Sequence, residues 1–164
     1  MINVRKLVRS DYDLVSRLAV NDDQIRYVGT VYELLNEKLE IWNYHVIVVG
    51  KDVVGFFNID TGYSSSYPFT KSNELGLRAF FIGSGNQGKG YGKAATRELK
   101  SYLVREYSTY SSIALTVNCK NPAAYNCYLG GGFEDTGELY QGGKAGPQHI
   151  MRMELASANK KFLV

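Results

Sequence analysis

The chain has few cysteines, little excess charge and no long apolar run, and each shortage excludes a class of protein. Two cysteines, Cys119 and Cys127, among 164 residues are too few for a disulfide framework, and they show no metal-ligand spacing with either histidine. We expect both to be reduced and half-buried. A net charge of +3 without a lysine or arginine block gives no footprint for nucleic acid. No signal-peptide pattern and no stretch of about 18 apolar residues appear, so we expect a cytoplasmic protein without a membrane partner.

What is present is typical of one globular domain, with 45% hydrophobic and 21% charged residues. We expect this domain to span residues 1–155, followed by a short tail at 156–164. The pattern order is β-α-α-β-β-β-α-β-α-β-β, which by itself predicts an α/β or α+β fold. Strands are predicted at 2–8, 45–49, 53–59, 75–82, 113–117, 133–140 and 149–155, and helices at 10–20 with Ser10 as N-cap, at 31–42, after residue 93 and at 122–129. The polar segment 60–73 is predicted to be a loop.

The most informative stretch is a glycine-rich segment, residues 83–93, between a strand pattern and a helix pattern. Five of its eleven residues are glycine. A strand, a glycine loop and a helix together turn several backbone N–H groups and a helix N-terminus towards one point. This arrangement suits an anion, and a pyrophosphate best of all.

Two common phosphate motifs fit the spacing of this segment but not its surroundings. The first three glycines satisfy G-x-G-x-x-G of dinucleotide-binding proteins. That motif requires an N-terminal βαβ unit with an acidic residue ending the second strand, whereas here the next strand ends in Asn118. Residues 83–89 nearly satisfy the P-loop, but Gly90 stands where a serine or threonine must hold magnesium.

The third pattern, Q-x-x-G-x-G from Gln87 to Gly92, resembles the acyl-CoA loop of the GNAT N-acetyltransferase superfamily. A second segment, from Asn121 to Phe133, resembles the family signature N-x-x-A-x-x-x-Y-x-x-x-G-F. The resemblance covers about residues 74–140, and the loop is most similar to bacterial spermidine/spermine acetyltransferases. It implies a single GNAT-like domain, an α/β (α+β) fold with a mixed, strongly twisted sheet of about seven strands and helices on both faces.

The resemblance also implies acetyl-CoA as the cosubstrate and no metal. Backbone groups of Phe81 and Ile82 would pair with the pantetheine amides. Asn121 reads as an N-cap before a proline, and it shares a helix face with Tyr128, about 10 Å further along. The remaining cofactor-binding positions that the family motif implies are Gln87, Gly88, Lys89, Gly90, Tyr91, Gly92 and Lys93.

Acidities then indicate two catalytic roles. The acceptor ammonium, with a pKa of about 10.4, must lose a proton before it attacks, and the leaving thiolate, whose thiol has a pKa of about 8.5, is helped by a proton donor. The family position assigns the donor role to Tyr128, with Tyr125 as a less well aligned rival. Glu74, which opens the strand before the loop, would accept the amine proton through water. The alternative for Glu74 is a solvated strand-edge residue.

The expected acceptor is a primary amine of a small molecule, which attacks acetyl-CoA directly in a ternary complex. Polyamine acetyltransferases of this family carry acidic residues where this chain has Arg78 and Ala79, so a carboxylate-bearing amine competes with a polyamine. Other acidic residues lie in the helical region that caps the acceptor site in this family, or else form a solvated helix face; they are Asp22, Asp23, Glu33 and Glu37.

Other functions remain open from the sequence alone. The chain is also compatible with an acetyltransferase that acts on a protein N-terminus or lysine, with a catalytically silent acyl-CoA sensor, and with a nucleotide-binding regulatory module. A homodimer is left open. The run Gly130-Gly131, where the family usually has larger residues, is expected to loosen the end of its helix.

Overall fold

The computed structural model describes residues 1–18 and 40–155, and seven strands within these ranges form one mixed sheet. In sheet order these strands are β1-β2-β3-β4-β5-β7-β6; β4 and β5 pair in parallel, and the other neighbours are antiparallel. Their bounds are Ile2–Lys6 (β1), Trp42–Val49 (β2), Asp52–Asp60 (β3), Glu74–Ile82 (β4), Ser112–Asn118 (β5), Glu134–Tyr140 (β6) and Gln148–Glu154 (β7).

Helices cover both faces of this sheet. Within the same described ranges the α-helices are Tyr12–Ser16 (α1), Tyr63–Ser66 (α2), Tyr91–Glu106 (α3) and Pro122–Gly131 (α4). Side chains of β2 alternate between two buried clusters: Ile47 packs with α3 and α4, whereas Val46 packs with Val15 of α1. The expected fold class, a mixed seven-stranded sheet with helices on both faces, is confirmed. No described helix is long and apolar enough to cross a membrane.

Strands β4 and β5 diverge soon after they meet. Residues 74–76 of β4 pair with residues 112–114 of β5, and the register between them ends there. β4 nevertheless continues to Ile82, and β5 continues to Asn118. The divergence opens a gap in the middle of the sheet, which is where the candidate site lies.

A β-bulge interrupts β4 beside this gap. Ala79 and Phe80 together lie opposite the single residue Phe57 of β3. Ala79 has a φ of 54°, a left-handed conformation that costs an alanine about 1–2 kcal/mol. Within the bulge, Phe80 packs beside Phe57 with ring centroids 5.9 Å apart, whereas the next residue, Phe81, packs in the cluster on the other face.

The segment after β1 differs from the predicted helix at 10–20. It begins with a 3₁₀ turn that leads into the short α1, and Ser10 is not its N-cap. Asp11 supplies the hydrogen bonds at this entry instead. Its carboxylate accepts the Val8 N–H at 2.8 Å and two bonds from Arg5 at 2.7 and 3.0 Å.

Most of the predicted helix at 31–42 lies within residues 19–39, which are outside the described ranges. The predicted tail at 156–164 is outside them as well. The prediction that Trp42 is helical is wrong, because Trp42 opens β2 and pairs with Asp60. The four acidic residues expected near the acceptor also lie outside the description: Asp22, Asp23, Glu33 and Glu37.

The segment 60–73 is more ordered than the predicted loop. It contains α2 and buries Tyr63, whose ring contacts Tyr67 and Phe69 at centroid distances of 4.8 and 6.0 Å. A Cβ added to Gly76 in β4 would lie 2.1 Å from the Tyr63 ring, so this glycine makes the room that the tyrosine occupies. Aromatic packing therefore holds this segment against the sheet.

The two glycines expected to loosen the end of α4 have a different role. The helix continues through Gly131 and ends at Gly132, which has a φ of 112°. A Cβ on Gly130 would lie 2.7 Å from Lys93 of α3, and one on Gly131 would lie 2.1 Å from Thr96. The glycines thus allow α3 and α4 to pack closely.

Candidate active site

The glycine loop leads into α3, whose N-cap is a glycine and so has no side chain to cap the first amides. Gly88 and Gly90 have φ values of 78° and 80°, a conformation that favours glycine. Gly90 is the N-cap of the 16-residue α3, and within residues 1–18 and 40–155 this helix has no side-chain cap hydrogen bond. The positive end of a long helix is therefore available to an anion.

This helix end borders a cavity of about 370 Å³, the loop cavity, between β4, the loop and α4. Nine of the ten residues assigned to the cofactor line it. Those nine are Phe81, Ile82, Gln87, Gly88, Gly90, Tyr91, Gly92, Lys93 and Asn121. The tenth, Lys89, is not among the lining residues, and its Nζ lies 6.0 Å from the centroid of the Tyr91 ring.

Gln87 acts on the loop itself. Its Nε2 donates a hydrogen bond to the Ile82 carbonyl at 2.8 Å, across the 3₁₀ turn Ser84–Asn86. Part of the strand backbone assigned to the pantetheine amides is therefore already engaged. A carbonyl oxygen has a second lone pair, so the Ile82 carbonyl retains the capacity for one further bond.

Cys127 is a lining residue of the loop cavity that the sequence did not predict. Its sulfur lies 3.7 Å from the Thr96 hydroxyl, and burial raises the pKa of the thiol. A Cβ on Gly92 would lie 3.1 Å from this sulfur, so the cavity wall is tight there. Cys127 is half-buried as expected, but Cys119 is exposed.

A second cavity of about 380 Å³, the tyrosine cavity, lies beside the first. It is bounded by β4, the aromatic segment after β3, the end of β5 and the β6–β7 loop. Residues unique to it include Tyr63, Tyr67, Arg78, Asn118, Tyr140, Lys144 and Gln148. The sequence pointed to Arg78 alone among these, because the others come together only through tertiary packing.

The two cavities share four lining residues, Phe80, Asn121, Ala124 and Tyr128. Both cavities therefore open into the same gap between β4 and β5, one on the loop side and one on the tyrosine side. Asn121 caps α4, its Oδ1 accepting the Ala124 N–H at 3.3 Å, as the sequence predicted. The cap and the small side chain of Ala124 leave the junction open towards Tyr128.

Tyr128 stands at this junction. Its side chain is only 8% exposed, and its ring lies edge-on to Phe80 and Phe133 with centroids 5.7 Å away in each case. Burial raises the pKa of Tyr128, and Cys127 raises it further, so the hydroxyl stays protonated at neutral pH. The rival Tyr125 lines neither cavity, because its hydroxyl bonds to Asp135 at 2.8 Å.

The structure does not bring Glu74 to Tyr128. Glu74 is fully buried at the far end of β4, and it lines neither cavity. Its carboxylate accepts two hydrogen bonds from Arg152, one from the Ser112 hydroxyl at 2.7 Å and one from the Lys71 N–H at 3.1 Å. Burial alone would raise the pKa of Glu74, but these bonds outweigh it and hold the pKa below its ordinary value. The alternative for Glu74, a solvated strand-edge residue, is wrong because the residue is buried, whereas its role as the base stays a prediction.

Arg78 lies in the wall of the tyrosine cavity. Its Nε donates to the buried Asp60 at 2.8 Å, and its Nη1 donates to the Tyr67 hydroxyl at 3.1 Å. The guanidinium carbon lies 5.2 Å from the ring centroids of both Tyr63 and Tyr67. Burial alone would lower the pKa of Arg78, but the bond to Asp60 and the neighbouring Tyr67 raise it, so the positive charge is permanent.

A sequence model of the Acetyltransferase (GNAT) family matches residues 11–133 of this chain, which include the glycine loop, the two cavities' shared residues and most of the sheet. The chain belongs to this family. The expected class, an acetyl-CoA-dependent N-acetyltransferase, is thereby confirmed at the level of the family. Among the described residues of this GNAT domain, no group of three or more His, Cys, Asp or Glu side chains could hold a metal ion.

Individual relatives agree with this assignment. An uncharacterized N-acetyltransferase of Bacillus subtilis (strain 168), YbbJ, is 29% identical over 128 residues, which is 76% of this chain and 79% of that protein. The structure of AAC(6')-Ib with ribostamycin and coenzyme A has a TM-score of 0.77 at 16% identity and covers 93% of each chain. Spermidine N-acetyltransferase from Vibrio cholerae, with CoA and spermine, has a TM-score of 0.71 at 20% identity and covers 99% of this chain and 98% of that one. At these identities the two structures show a shared fold.

Proposed function

We propose that this protein transfers the acetyl group of acetyl-CoA to a primary amine of a small molecule. The observation that carries the proposal is the meeting of two cavities at Tyr128. One of them borders the N-terminus of α3, and the other has a different, aromatic and polar lining. A bisubstrate reaction requires such a junction, because both substrates must place their reacting atoms at one point.

Acetyl-CoA fits the loop cavity on chemical grounds. The uncapped amides at the start of α3 would hold the pyrophosphate, with Lys93 beside them. The strand backbone at residues 81 and 82 would hold the pantetheine arm, and this arm would lead its thioester towards Tyr128. Solved proteins of the same fold hold acetyl-CoA or coenzyme A, which supports this occupant.

In the proposed reaction the amine nitrogen forms a bond to the acetyl carbon, and the carbon–sulfur bond breaks. No carboxylate among the described residues lines either cavity, so we propose that the ammonium proton leaves to water. Tyr128 would donate a hydrogen bond to the sulfur as its negative charge develops. Full proton transfer from Tyr128 is unfavourable, because its raised pKa exceeds the thiol value of about 8.5. After the attack the nitrogen would lose a second proton to water, and the thiolate would take one proton from solvent, so the products are the amide, the CoA thiol and one released proton.

A paired assay tests this function. Calorimetry measures the binding of acetyl-CoA, and thiol release in the presence of primary amines measures transfer. We expect acetyl-CoA to bind and at least one small amine to be acetylated. Binding of acetyl-CoA without transfer to any small amine, amino acid or peptide would instead identify a sensor.

A further inference from the structure

We infer that the acetylated amine also carries a carboxylate, which binds at the Arg78 guanidinium in the tyrosine cavity. The inference rests on the proposed function and names the substrate class of the same site. It starts from a cation that is fixed in place at the wall of a cavity, on the side of Tyr128 away from the glycine loop.

Arg78 is held in place by a buried carboxylate and by two tyrosines. One Asp60 oxygen accepts a hydrogen bond from Nε, and the other accepts the Gly62 N–H at 2.8 Å, so both carboxylate oxygens are engaged. The rings of Tyr63 and Tyr67, with centroids 4.8 Å apart, lie together on one side of the guanidinium, each 5.2 Å from its central carbon. The bonds to Asp60 and Tyr67 use only part of the five N–H donors of an arginine. Asp60 is thus a positioning residue, and the remaining donors are available to a ligand.

The charges that line the tyrosine cavity disfavour a second ammonium. Arg78 and the exposed Lys144 are its charged lining residues within the described part of the chain, and both are cations. A diamine would place its second ammonium near these cations without a lining carboxylate to pair with it. A carboxylate would instead form charge-assisted hydrogen bonds with the arginine fork.

Position along β4 limits the size of the acceptor. Arg78 precedes Phe80 by two residues, and the Phe80 ring contacts the Tyr128 ring at the junction. Two residues of fully extended chain span at most about 7 Å, and the bulge at Ala79 shortens this span. An amine at Tyr128 and a carboxylate at Arg78 would therefore be joined by a short chain, as in a free amino acid or an ω-amino acid of a few carbons.

Matched ligands test this inference by binding, independently of turnover. Calorimetry on the protein saturated with CoA compares ω-amino acids with diamines and alkylamines of the same chain length. We expect the best amino acid to bind at least about tenfold more tightly than both matched amines, a difference of about 1.4 kcal/mol. Equal or tighter binding of the diamine would overturn the inference.

A double variant, Arg78→Gln with Asp60→Asn, removes the cation without leaving a buried carboxylate alone. We expect it to lose the tenfold preference for the amino acid while it keeps its affinity for the alkylamine. Lys51→Gln, on the exposed β2–β3 turn, removes the same charge far from the cavity and should keep the preference. A preference that survives in the double variant would also overturn the inference.

Acetyl transfer to the same amines is measured separately, so that the two hypotheses fail differently. Transfer that favours diamines over amino acids contradicts the carboxylate inference and leaves the proposed function intact. Tight binding of an amino acid without transfer to any amine supports the Arg78 subsite and contradicts the proposed function.

Discussion

At the scale of single residues, Tyr128 joins the two halves of the candidate site. Its ring is held by aromatic contacts, whereas its hydroxyl is the atom with a proposed chemical role. Tyr128→Phe should keep the packing and lower kcat by about 10²–10³, the usual cost of losing one preorganised donor. Acetyl-CoA affinity, measured by calorimetry, should barely change.

Tyr125→Phe is the matched control, because it removes a phenol from the same helix outside both cavities. Its kcat should remain near that of the wild type. A larger loss in Tyr125→Phe than in Tyr128→Phe would show that the donor has been assigned to the wrong residue. Burial raises the pKa of Tyr128, so Tyr128 should stay protonated up to at least about pH 10. The pH profile of the wild-type kcat should therefore show no fall below about pH 10 that is due to ionisation of Tyr128.

His45 is a residue of the core that makes stability depend on pH. It is fully buried, its Nδ1 donates to the Asn43 carbonyl at 2.7 Å, and its Nε2 accepts from the Tyr102 hydroxyl at 2.7 Å. Nδ1 must carry the proton, because a carbonyl only accepts. Burial lowers the pKa of His45 to about 4, so the folded protein holds the neutral form.

The sign of the effect follows from this lowered pKa. In the unfolded chain the histidine pKa is about 6.5, so the unfolded state binds the proton first as the pH falls. The free energy of unfolding should therefore fall between about pH 6.5 and 4, by up to about 3 kcal/mol. His45→Gln should flatten this dependence in urea unfolding experiments at pH 7 and 4.5. Equal slopes in both proteins would contradict the account.

At the scale of elements, the start of α3 determines whether a phosphate group can bind. Gly92 lies in its first turn and lines the loop cavity, whereas Gly85 lies in the same loop, is exposed and does not line it. Gly92→Asp should fold, because a helix N-terminus favours a carboxylate and the tight contact with Cys127 requires only a small shift. The new charge should weaken acetyl-CoA binding about 10²-fold or more. Gly85→Asp, with the same charge change, should bind nearly as the wild type does in calorimetry.

The elements also show what could be predicted from sequence. The glycine loop and the α4 cap were predictable because their signals are local: glycines with positive φ, and an asparagine before a proline. The fold of segment 60–73 was not, since Tyr63 is buried through a glycine of β4 rather than by its own neighbours. The bulge at Ala79 was equally hidden, because alanine carries no local preference for a positive φ.

At the scale of the whole molecule, the site exists because the sheet is joined on one side of a gap and open on the other. β4 and β5 share three paired positions, and the ion pair of Glu74 with Arg152 of β7 reinforces this joint. Residues 78 positions apart form this pair, so no sequence window contains it. The sequence shows an acidic residue at the start of the strand before the glycine loop, but it does not show that Arg152 is its partner. Glu74 was therefore interpreted as a candidate base.

Glu74→Gln tests the structural role of this joint. The variant leaves the largely buried Arg152 without its anion, which should lower the free energy of unfolding by about 3–5 kcal/mol. Glu154→Gln is the control, because the side chain of Glu154 is 62% exposed and its pair with Lys71, at 3.6 Å, should contribute at most about 1 kcal/mol.

The pH profile of kcat tests whether Glu74 has a catalytic role. We expect kcat of the folded Glu74→Gln protein to keep the pH profile of the wild type. A loss of one limb of that profile, together with a fall in kcat of about 10²-fold or more and unchanged acetyl-CoA affinity, would restore Glu74 as the general base. The expected result would instead support a structural role for Glu74, which with Arg152 joins the sheet at the end of β4 away from the two cavities.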